Sequence, residues 1–409
     1  MSATPRELAQ RALDQGNGIV RLAPAWVPRV FCVPGRRIKL HPDDYFALGT
    51  NRGGLDERWF ASTTPADNGP LTSENEGLSH IVVEDGGQVE MVLLRDAVAE
   101  LQGEIIGAGL WDKYGGWPMF SKFFDNQAAL PLHIHHRDQH AMRVNAAGKP
   151  EAYYFSPQAN NHGGDFPFTF FGLAPGVTKD QVRETLRRFG EGDNRITDLS
   201  VAYRLKPGTG WDLPPGILHA PGSLCSYEPQ VASDVFALYE SLTGDVVIPE
   251  PLLWKDTPED EMNNLDYLVD VIDWEANVDP NFRQKHFMEP IPVDDLEQMR
   301  AEGYEDRWIC YKSKHFSAKE LTILPGATVT VKDGGAYGLI VMQGHGMMGA
   351  WDIETPALIR FGQLTYDEFF VSESAARDGV VITNPSKADP IVMLKHFGPD
   401  AHDNMPETD

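Results

Sequence analysis

Two histidines separated by one residue, His133 and His135, are the most chemically informative pair in the sequence. Alternate side chains of a β-strand point to the same face, so two imidazoles at this spacing form a bidentate site for a divalent metal ion. Glu151 opens a second predicted strand after a turn at Gly148, and a hairpin return would bring its carboxylate over the same face. A third imidazole, His219, ends the segment GTGWDLPPGILH. The Pro-Gly pair of this segment predicts a tight turn shortly before His219.

These residues make a set of three histidines and one carboxylate. Such a set suits zinc, iron(II), manganese or nickel and leaves coordination positions open for water or substrate. We therefore predict a divalent metal ion bound by His133, His135, Glu151 and His219.

The segments that must position these ligands have the pattern of β-strands. Short apolar runs alternate with Gly, Pro and Asp turns from about residue 30 to 135, and the pattern returns after residue 305. Strands this short and evenly spaced favour an antiparallel sandwich or jelly roll. Helices are predicted at residues 4–16, 178–190 and 258–275, where capping residues precede apolar positions at helical spacing.

The composition narrows the classes of partner. The 409 residues carry a formal charge of −25, which argues against a nucleic-acid backbone or an anionic membrane as partner. No stretch approaches the roughly 18–20 apolar residues of a membrane span, and the N-terminus lacks the apolar region of a secretory signal. Three distant cysteines suit a reducing compartment. We expect a cytoplasmic protein with a small-molecule substrate, and the oligomeric state stays open.

The two metal-binding segments resemble the two signatures of the cupin superfamily, an HxH…E strand pair and a G-x5-P-x-G-x2-H strand pair. The second signature matches in full over residues 208–219. The long interval between His135 and Glu151 is similar to that of the class I phosphomannose isomerases, which are zinc-dependent enzymes with two cupin domains and a helical insert. This resemblance rests on the segments LDERWFAS, PMFSKFFDNQAALPLHIHH, GKPE and LHAPGSLCSYEPQVASD.

The resemblance implies a mainly β fold with two cupin (jelly-roll β-barrel) domains, a helical insert and a helical connector. We expect an N-terminal helical segment at residues 1–30 and a metal-binding cupin domain at 31–255, with the helical insert near 176–197. A helical connector at 256–305, a second, metal-free cupin domain at 306–400 and a polar tail at 401–409 would complete the chain.

The resemblance also implies an aldose–ketose isomerase that works through a metal-stabilised enediolate, with zinc favoured over iron or manganese. Such an enzyme moves a proton between C1 and C2 of the sugar, a task best done by groups whose pKa is near neutral. The residues predicted to take part in catalysis are Lys149 of the GKxE motif, Glu228, Asp234 and Lys122.

Aromatic rings near these motifs are candidates for sugar binding. Tyr153 is the first of them because it shares a strand face with Glu151. Trp59 and Trp211 are predicted to bind substrate as well.

The chain departs from the phosphomannose isomerase pattern at two positions. His133 stands where that family usually has Gln, and Leu238 stands where it has a catalytic Arg. The missing Arg favours a sugar other than mannose 6-phosphate, or one that carries no phosphate. Two alternatives remain: an Fe(II) cupin dioxygenase, which uses the same ligand set, and a non-catalytic sugar-binding cupin.

Overall fold

The computed structural model describes residues 3–161 and 167–406. Its strands are β1 (Ile19–Ala23), β2 (Ala25–Arg29), β3 (Gly54–Phe60), β4 (His80–Asp85), β5 (Gln88–Leu93), β6 (Met119–Phe124), β7 (His133–Ile134), β8 (Glu151–Tyr154), β9 (Phe168–Leu173), β10 (Ser200–Arg204), β11 (Gly210–Leu213), β12 (Leu218–Ala220), β13 (Ser226–Val231), β14 (Ala237–Leu238), β15 (Leu242–Thr243), β16 (Val246–Val247), β17 (Phe287–Met288), β18 (Ile291–Pro292), β19 (Tyr304–Cys310), β20 (Ser317–Ile323), β21 (Thr328–Val331), β22 (Tyr337–Gln343), β23 (His345–Met348), β24 (Trp351–Glu354), β25 (Glu368–Val371), β26 (Val380–Thr383) and β27 (Ile391–Phe397).

Helices lie between these strands. The α-helices are α1 (Pro5–Gln15), α2 (Leu94–Leu101), α3 (Gly103–Ile106), α4 (Ala108–Tyr114), α5 (Asp138–Ala141), α6 (Lys179–Arg187), α7 (Leu265–Val271), α8 (Trp274–Asn277), α9 (Phe282–His286), α10 (Leu296–Glu302) and α11 (Glu373–Asp378). Short 3₁₀ turns occur at Pro42–Asp44, Thr50–Arg52, Gly69–Leu71, Met142–Val144, Phe189–Glu191, Ile196–Leu199, Glu250–Leu252 and Glu259–Glu261.

The strands of the described residues form five sheets. The five-stranded sheet has the order β10-β9-β12-β7-β14, and the seven-stranded sheet has the order β17-β11-β8-β13-β6-β3-β2. The nine-stranded sheet runs β18-β19-β20-β27-β22-β25-β1-β4-β5, and the four-stranded sheet runs β21-β26-β23-β24. Strands β15 and β16 form a hairpin. The fold is therefore mainly β and cupin-like, as the sequence predicts, and its division into two cupin domains stays a prediction.

Apolar residues join the larger sheets into layers. One buried cluster includes Phe123 of the seven-stranded sheet and Ile340 and Leu394 of the nine-stranded sheet. Another joins Leu321 of the nine-stranded sheet to Ile382 of the four-stranded sheet. Burying each such side chain contributes about 1.5–3 kcal/mol. The seven-stranded sheet is thus held on one face, and its other face is available to form a site.

The predicted helical insert covers the outer face of the five-stranded sheet. Val182 and Leu186 of α6 share a buried cluster with Ile134 and Leu218 of that sheet and with Leu268 of α7. Helix α6 begins at its predicted cap, Thr178, which forms a capping box with Gln181. Because strand side chains alternate, the residues next to Ile134 and Leu218 point to the opposite, inner face.

The first thirty residues contain more than the predicted helix. Helix α1 forms with Thr4 as its cap, as expected, but strands β1 and β2 follow it. Strand β1 pairs with β25, more than 300 residues away, and with β4. Residues 30–33, predicted as a strand, form a turn in which the backbone N–H of Cys32 donates to the carbonyl of Arg29 at 3.0 Å.

The helix predicted at 258–275 is broken into two. Helix α7 ends at Val271, Ile272 has extended backbone angles, and Asp273 caps the separate helix α8 by accepting a hydrogen bond from the backbone of Ala276.

Conversely, helices α2 to α4 occupy residues 94–114, where only strands were predicted. In the predicted polar tail, the ring of His402 lies 4.6 Å from that of Phe397, whereas Asp403 and Asn404 are exposed. Residues 407–409 of that tail lie outside the described residues. No helix in the described part of the chain is long and apolar enough to cross a bilayer.

Candidate metal centre

The four predicted metal ligands meet between the five-stranded and the seven-stranded sheets. His133 in β7 and His219 in β12 are direct cross-strand partners, and His135 follows β7 immediately. Glu151 is the first residue of β8 in the facing sheet. All four side chains are buried, and one ligand atom from each lies within 4.8 Å of the others.

A space of about 370 Å³, including its opening to solvent, adjoins this cluster, and we call it the inner cavity. It is lined by Arg29, Phe31, Glu57, Lys122, Phe124, Leu130, His133, His135, Lys149, Glu151, Tyr153, Pro221, Glu228, Asp234, Phe236 and Leu238.

A backbone carbonyl orients each of the three imidazoles. In chain order, their Nδ1 atoms lie 2.9, 2.7 and 2.8 Å from the carbonyl oxygens of Pro131, Val235 and Ile217. Because a carbonyl oxygen can only accept, Nδ1 carries the hydrogen in each ring and Nε2 keeps its lone pair. The three rings are therefore held in the tautomer and orientation that bind a metal ion through Nε2.

The centre of the cluster consists of lone pairs. The Nε2 atoms of His135 and His219 each lie 3.1 Å from a carboxylate oxygen of Glu151. Glu151 Oε2 and His219 Nε2 are buried and have no hydrogen-bond partner. Such unpaired buried groups cost about 1–3 kcal/mol each. A divalent cation would satisfy all of them at once, so the residues present fit a metal ion.

The protonation states agree with this arrangement. Burial lowers the pKa of His133 well below its ordinary value, and the neighbouring His219 and His135 lower it further. Burial, followed by the charge of Lys149, lowers the pKa of His135 to about 3. Burial alone would raise the pKa of Glu151, but His135 and Lys149 outweigh it and hold that pKa well below the usual range. Near neutral pH, His133 and His135 are neutral and Glu151 is ionised.

The four side chains predicted to take part in catalysis all line the inner cavity. Lys149 Nζ lies 3.6 Å from Glu151 Oε2, and burial lowers the pKa of this lysine. Lys122 Nζ lies 3.3 Å from both Glu57 and Glu228. Burial would lower the pKa of Lys122, but these two carboxylates outweigh burial and raise it.

Glu228 differs from the other carboxylates of the inner cavity. Burial is the largest influence on its pKa and raises it, the charge of Lys122 lowers it only in part, and Glu151 raises it further, to about 7. Ser226 Oγ donates a hydrogen bond to Glu228 Oε1. A carboxyl group whose pKa is near neutral can both take up and release a proton at physiological pH.

Sequence reasoning missed two charged residues of the inner cavity, Arg29 and Glu57. Arg29 ends β2, and its guanidinium lies 2.5 Å from Glu57 Oε1 and 3.0 Å from Asp234 Oδ1. Burial would raise the pKa of Asp234, but Arg29 and then Lys149 outweigh it and lower that pKa. Both residues are charged side chains inside largely apolar segments, APAWVPRVF and LDERWFAS, and this placement could have indicated that they belong to a buried site.

Tyr153 and Leu238 lie where the sequence analysis expected them to matter. Tyr153 lines the inner cavity, and its hydroxyl donates to Glu151 Oε1 at 2.5 Å. Leu238 pairs with His133 across β14 and β7 and lines the same cavity. The position matched to the family's Arg therefore faces the cavity with an apolar side chain.

The two tryptophans predicted to bind substrate do not line the inner cavity. Trp59 stacks on Phe120 at 4.5 Å between ring centroids, and its Nε1–H donates to Glu57 Oε2 at 2.6 Å. Trp211 packs 4.8 Å from Phe171 in a separate aromatic cluster. Both lie on the sheet face that carries the site, but neighbouring rings enclose them. Trp59 instead supports a carboxylate that reaches the cavity.

Comparison with known proteins finds similarity in three-dimensional structure and none in sequence families. No protein-family model matches the sequence, and no curated protein is similar to it in sequence. Among solved structures, a protein from Archaeoglobus fulgidus named provisionally as a mannosephosphate isomerase is 14% identical, with a TM-score of 0.61 and coverage of 93% of this chain and 97% of that one.

Two further structures show the same likeness. The mannose 6-phosphate isomerase of Bacillus subtilis is 14% identical, with a TM-score of 0.59 over 93% of this chain and 99% of that one. A zinc-bound mannose 6-phosphate isomerase is 11% identical, with a TM-score of 0.59 over 93% of this chain and 100% of that one. The chain therefore has the fold of the phosphomannose isomerases, and its buried histidine–glutamate cluster fits a cupin metal site.

Proposed function

We propose that this protein is a metal-dependent sugar isomerase that interconverts an aldose and a ketose, and that its sugar is unphosphorylated. The observation that carries the proposal is the inner cavity itself. There, a metal-binding cluster and a carboxyl group with a pKa of about 7 face one buried space. The fold shared with mannose 6-phosphate isomerases supports the same reaction class.

The reaction needs no second substrate. In the aldose-to-ketose direction the C2–H bond breaks and a C1–H bond forms, while the hydroxyl proton of O2 is transferred to O1. A bound divalent ion, for which zinc is our first choice, supplies Lewis-acid polarisation of the sugar oxygens. The groups of the protein must hold the sugar and move its protons.

Each of the four residues predicted to take part in catalysis then has a role. Glu228 takes the proton from carbon and returns it, since its pKa is near neutral. Lys122, held at 3.3 Å, keeps that carboxyl in place. Lys149, whose pKa is lowered by burial, exchanges the hydroxyl proton. Asp234, kept ionised by Arg29, accepts a hydrogen bond from a sugar hydroxyl.

The test is to measure metal content and sugar turnover on one sample. The purified protein is analysed for zinc, iron and manganese, then assayed under nitrogen with free and phosphorylated aldoses and ketoses. We expect zinc and turnover of an unphosphorylated sugar without oxygen.

The ligand set of three histidines and one glutamate also suits an Fe(II) dioxygenase, which would show iron and oxygen consumption. A sugar that raises the melting temperature but is not converted would indicate a binding protein.

A further inference from the structure

A second, larger space adjoins the inner cavity, and we call it the outer chamber. It measures about 1050 Å³ including its mouth. It is lined by residues 30–31, 51–52 and 67–71 and by Phe236, Pro249, Pro251, Leu252 and Lys255. Phe31 and Phe236 line both spaces, with their ring centroids 6.1 Å apart. The two spaces therefore meet at this pair of rings.

The wall of the outer chamber is bonded directly to the polar residues of the inner cavity. Asn68 accepts a hydrogen bond from the guanidinium of Arg29 at 3.1 Å. The backbone N–H of Asp67 donates to Asp234 Oδ2 at 3.0 Å. The loop at 67–71 is thus fixed to the ion pair that borders the inner cavity, so the position of one space determines that of the other.

Apolar and amide groups make up most of the outer chamber. Val30 and Leu71 are 49% and 52% exposed, and Asn51 adds an exposed side-chain amide. Apolar patches beside amide groups match the apolar faces and hydroxyl rims of a sugar ring.

The cations of both spaces are already neutralised. In the outer chamber, Arg52 lies 2.5 Å from Glu76, and Lys255 lies 2.5 Å from Asp67. In the inner cavity, as described above, each lining lysine or arginine has a carboxylate within 4.0 Å. Among the described residues, every cation that lines the two spaces is already paired with a carboxylate, so a phosphate dianion would compete with these carboxylates. This favours a neutral ligand.

We propose that the outer chamber is a second sugar subsite, and that the substrate is a neutral oligosaccharide whose reducing end lies in the inner cavity. This rests on the proposed isomerase function, which acts at C1 and C2. Because those carbons must be free, the chain of sugars can only extend from the other side of the reacting unit. The outer chamber is the adjoining space that can receive the next unit.

The test compares sugars of different length on the metal-loaded protein. Mannose and glucose are assayed beside their 1,4- and 1,6-linked disaccharides and mannose 6-phosphate. We expect kcat/KM to be at least about tenfold higher for one disaccharide than for its monosaccharide.

The variant Leu71→Trp, which fills the outer chamber, should remove that advantage by lowering kcat/KM for the disaccharide to the level of the monosaccharide. Leu358→Trp is the matched control, because Leu358 is 48% exposed and lines neither space.

Equal kcat/KM for monosaccharide and disaccharide, or no selective effect of Leu71→Trp, would overturn the subsite. Preference for mannose 6-phosphate would overturn the neutral substrate. If no sugar is converted, the isomerase proposal fails, and calorimetric titration of the same protein still decides the subsite. Tighter binding of a disaccharide that Leu71→Trp abolishes supports the subsite, whereas equal or absent binding contradicts it.

Discussion

Two of the buried polar clusters among the described residues stabilise their charges in different ways. In the nine-stranded sheet, Lys319 and Lys395 each form ion pairs with both Asp306 and Asp333. The closest contacts are 2.8 Å from Lys319 to Asp333 and 3.0 Å from Lys395 to Asp333. At the inner cavity, three imidazole Nε2 atoms face a single carboxylate.

The difference is the source of positive charge. In the lysine–aspartate cluster, ammonium groups of the chain already compensate the carboxylates. In the histidine–glutamate cluster, the imidazole hydrogens point away to backbone carbonyls, so the three rings turn only lone pairs to the centre, and the nearest ammonium, that of Lys149, lies 3.6 Å from Glu151 Oε2. Buried charge is tolerated only when it is compensated. The carboxylates of the first cluster are therefore compensated by the chain itself, whereas the imidazole lone pairs of the second are left for a cation from solution to satisfy.

The strongest test of this contrast removes the carboxylate of the histidine–glutamate cluster. Loss of a residue that only hydrogen-bonds to a metal ligand lowers metal affinity by about 10–100-fold. Glu151→Gln removes a ligand itself, so we expect a larger loss of affinity and no turnover without the metal. Metal stoichiometry after dialysis measures the effect. Glu320→Gln is the control, since Glu320 accepts a hydrogen bond from Tyr154 outside the inner cavity. Full occupancy in Glu151→Gln would refute the ligand assignment.

Breaking the lysine–aspartate cluster should affect folding and leave metal binding intact. Lys395→Met leaves Asp306 and Asp333 with less compensation and should lower the free energy of unfolding by about 3–5 kcal/mol. Denaturant unfolding measures it, with exposed Lys387→Met as the control. A loss of metal in Lys395→Met at a temperature where it stays folded would show that the two clusters are coupled.

Glu228→Gln should separate chemistry from metal binding. The variant keeps the shape of the side chain but removes the proton-exchanging group, so turnover should fall by about 10²–10⁴-fold. Metal content should stay at the wild-type level, because Glu228 is not among the four ligands. An unchanged kcat would remove Glu228 from the mechanism.

The pH dependence of Glu228 gives a further test on the metal-free protein. Its pKa is raised from 4.5 to about 7, so the folded protein keeps a proton that the unfolded chain loses. The stability from this group is complete below about pH 4.5 and is lost as the pH rises through 7. Difference infrared spectra of wild type and Glu228→Gln would locate the titration. Added metal should lower the pKa by electrostatic attraction, and a titration near 4.5 in the metal-free protein would contradict this account.

How far the sequence could predict this site depends on how local each signal is. His133 and His135 were found because alternation along one strand fixes their common face. Arg29 was missed because it ends a strand in a segment interpreted as helical, and its partner Asp234 lies 205 residues away. Trp59 does not reach the cavity because it stacks on Phe120, and such a contact cannot be predicted from sequence spacing.

The fold shows the same limit. Helix α2 was missed because the apolar run of β5 continues into it without Gly or Pro, and its first cap position, Leu93, makes no side-chain hydrogen bond. The capped helices α1 and α6 were predicted correctly since Thr4 and Thr178 carry the local signal. Sheet order, which pairs β1 with β25, follows from contacts that no local pattern specifies.

The smallest expected effect compares two consecutive tyrosines of β8. Tyr153 donates to Glu151 Oε1 at 2.5 Å on the face of the inner cavity, and Tyr154 donates to Glu320 Oε2 at 2.8 Å on the face toward the nine-stranded sheet. Tyr153→Phe should weaken metal binding by about 10–100-fold because the ligand carboxylate loses its orienting partner. Tyr154→Phe should leave metal affinity unchanged and cost about 1 kcal/mol in unfolding free energy.

Each tyrosine variant serves as the control for the other, because both side chains are buried and lose the same hydroxyl. Metal titration and denaturant unfolding of the two proteins separate the effects. If Tyr154→Phe weakened metal binding as much as Tyr153→Phe, affinity would depend on packing between the sheets. The independence of the two faces of the seven-stranded sheet, on which the contrast between the clusters rests, would then be lost.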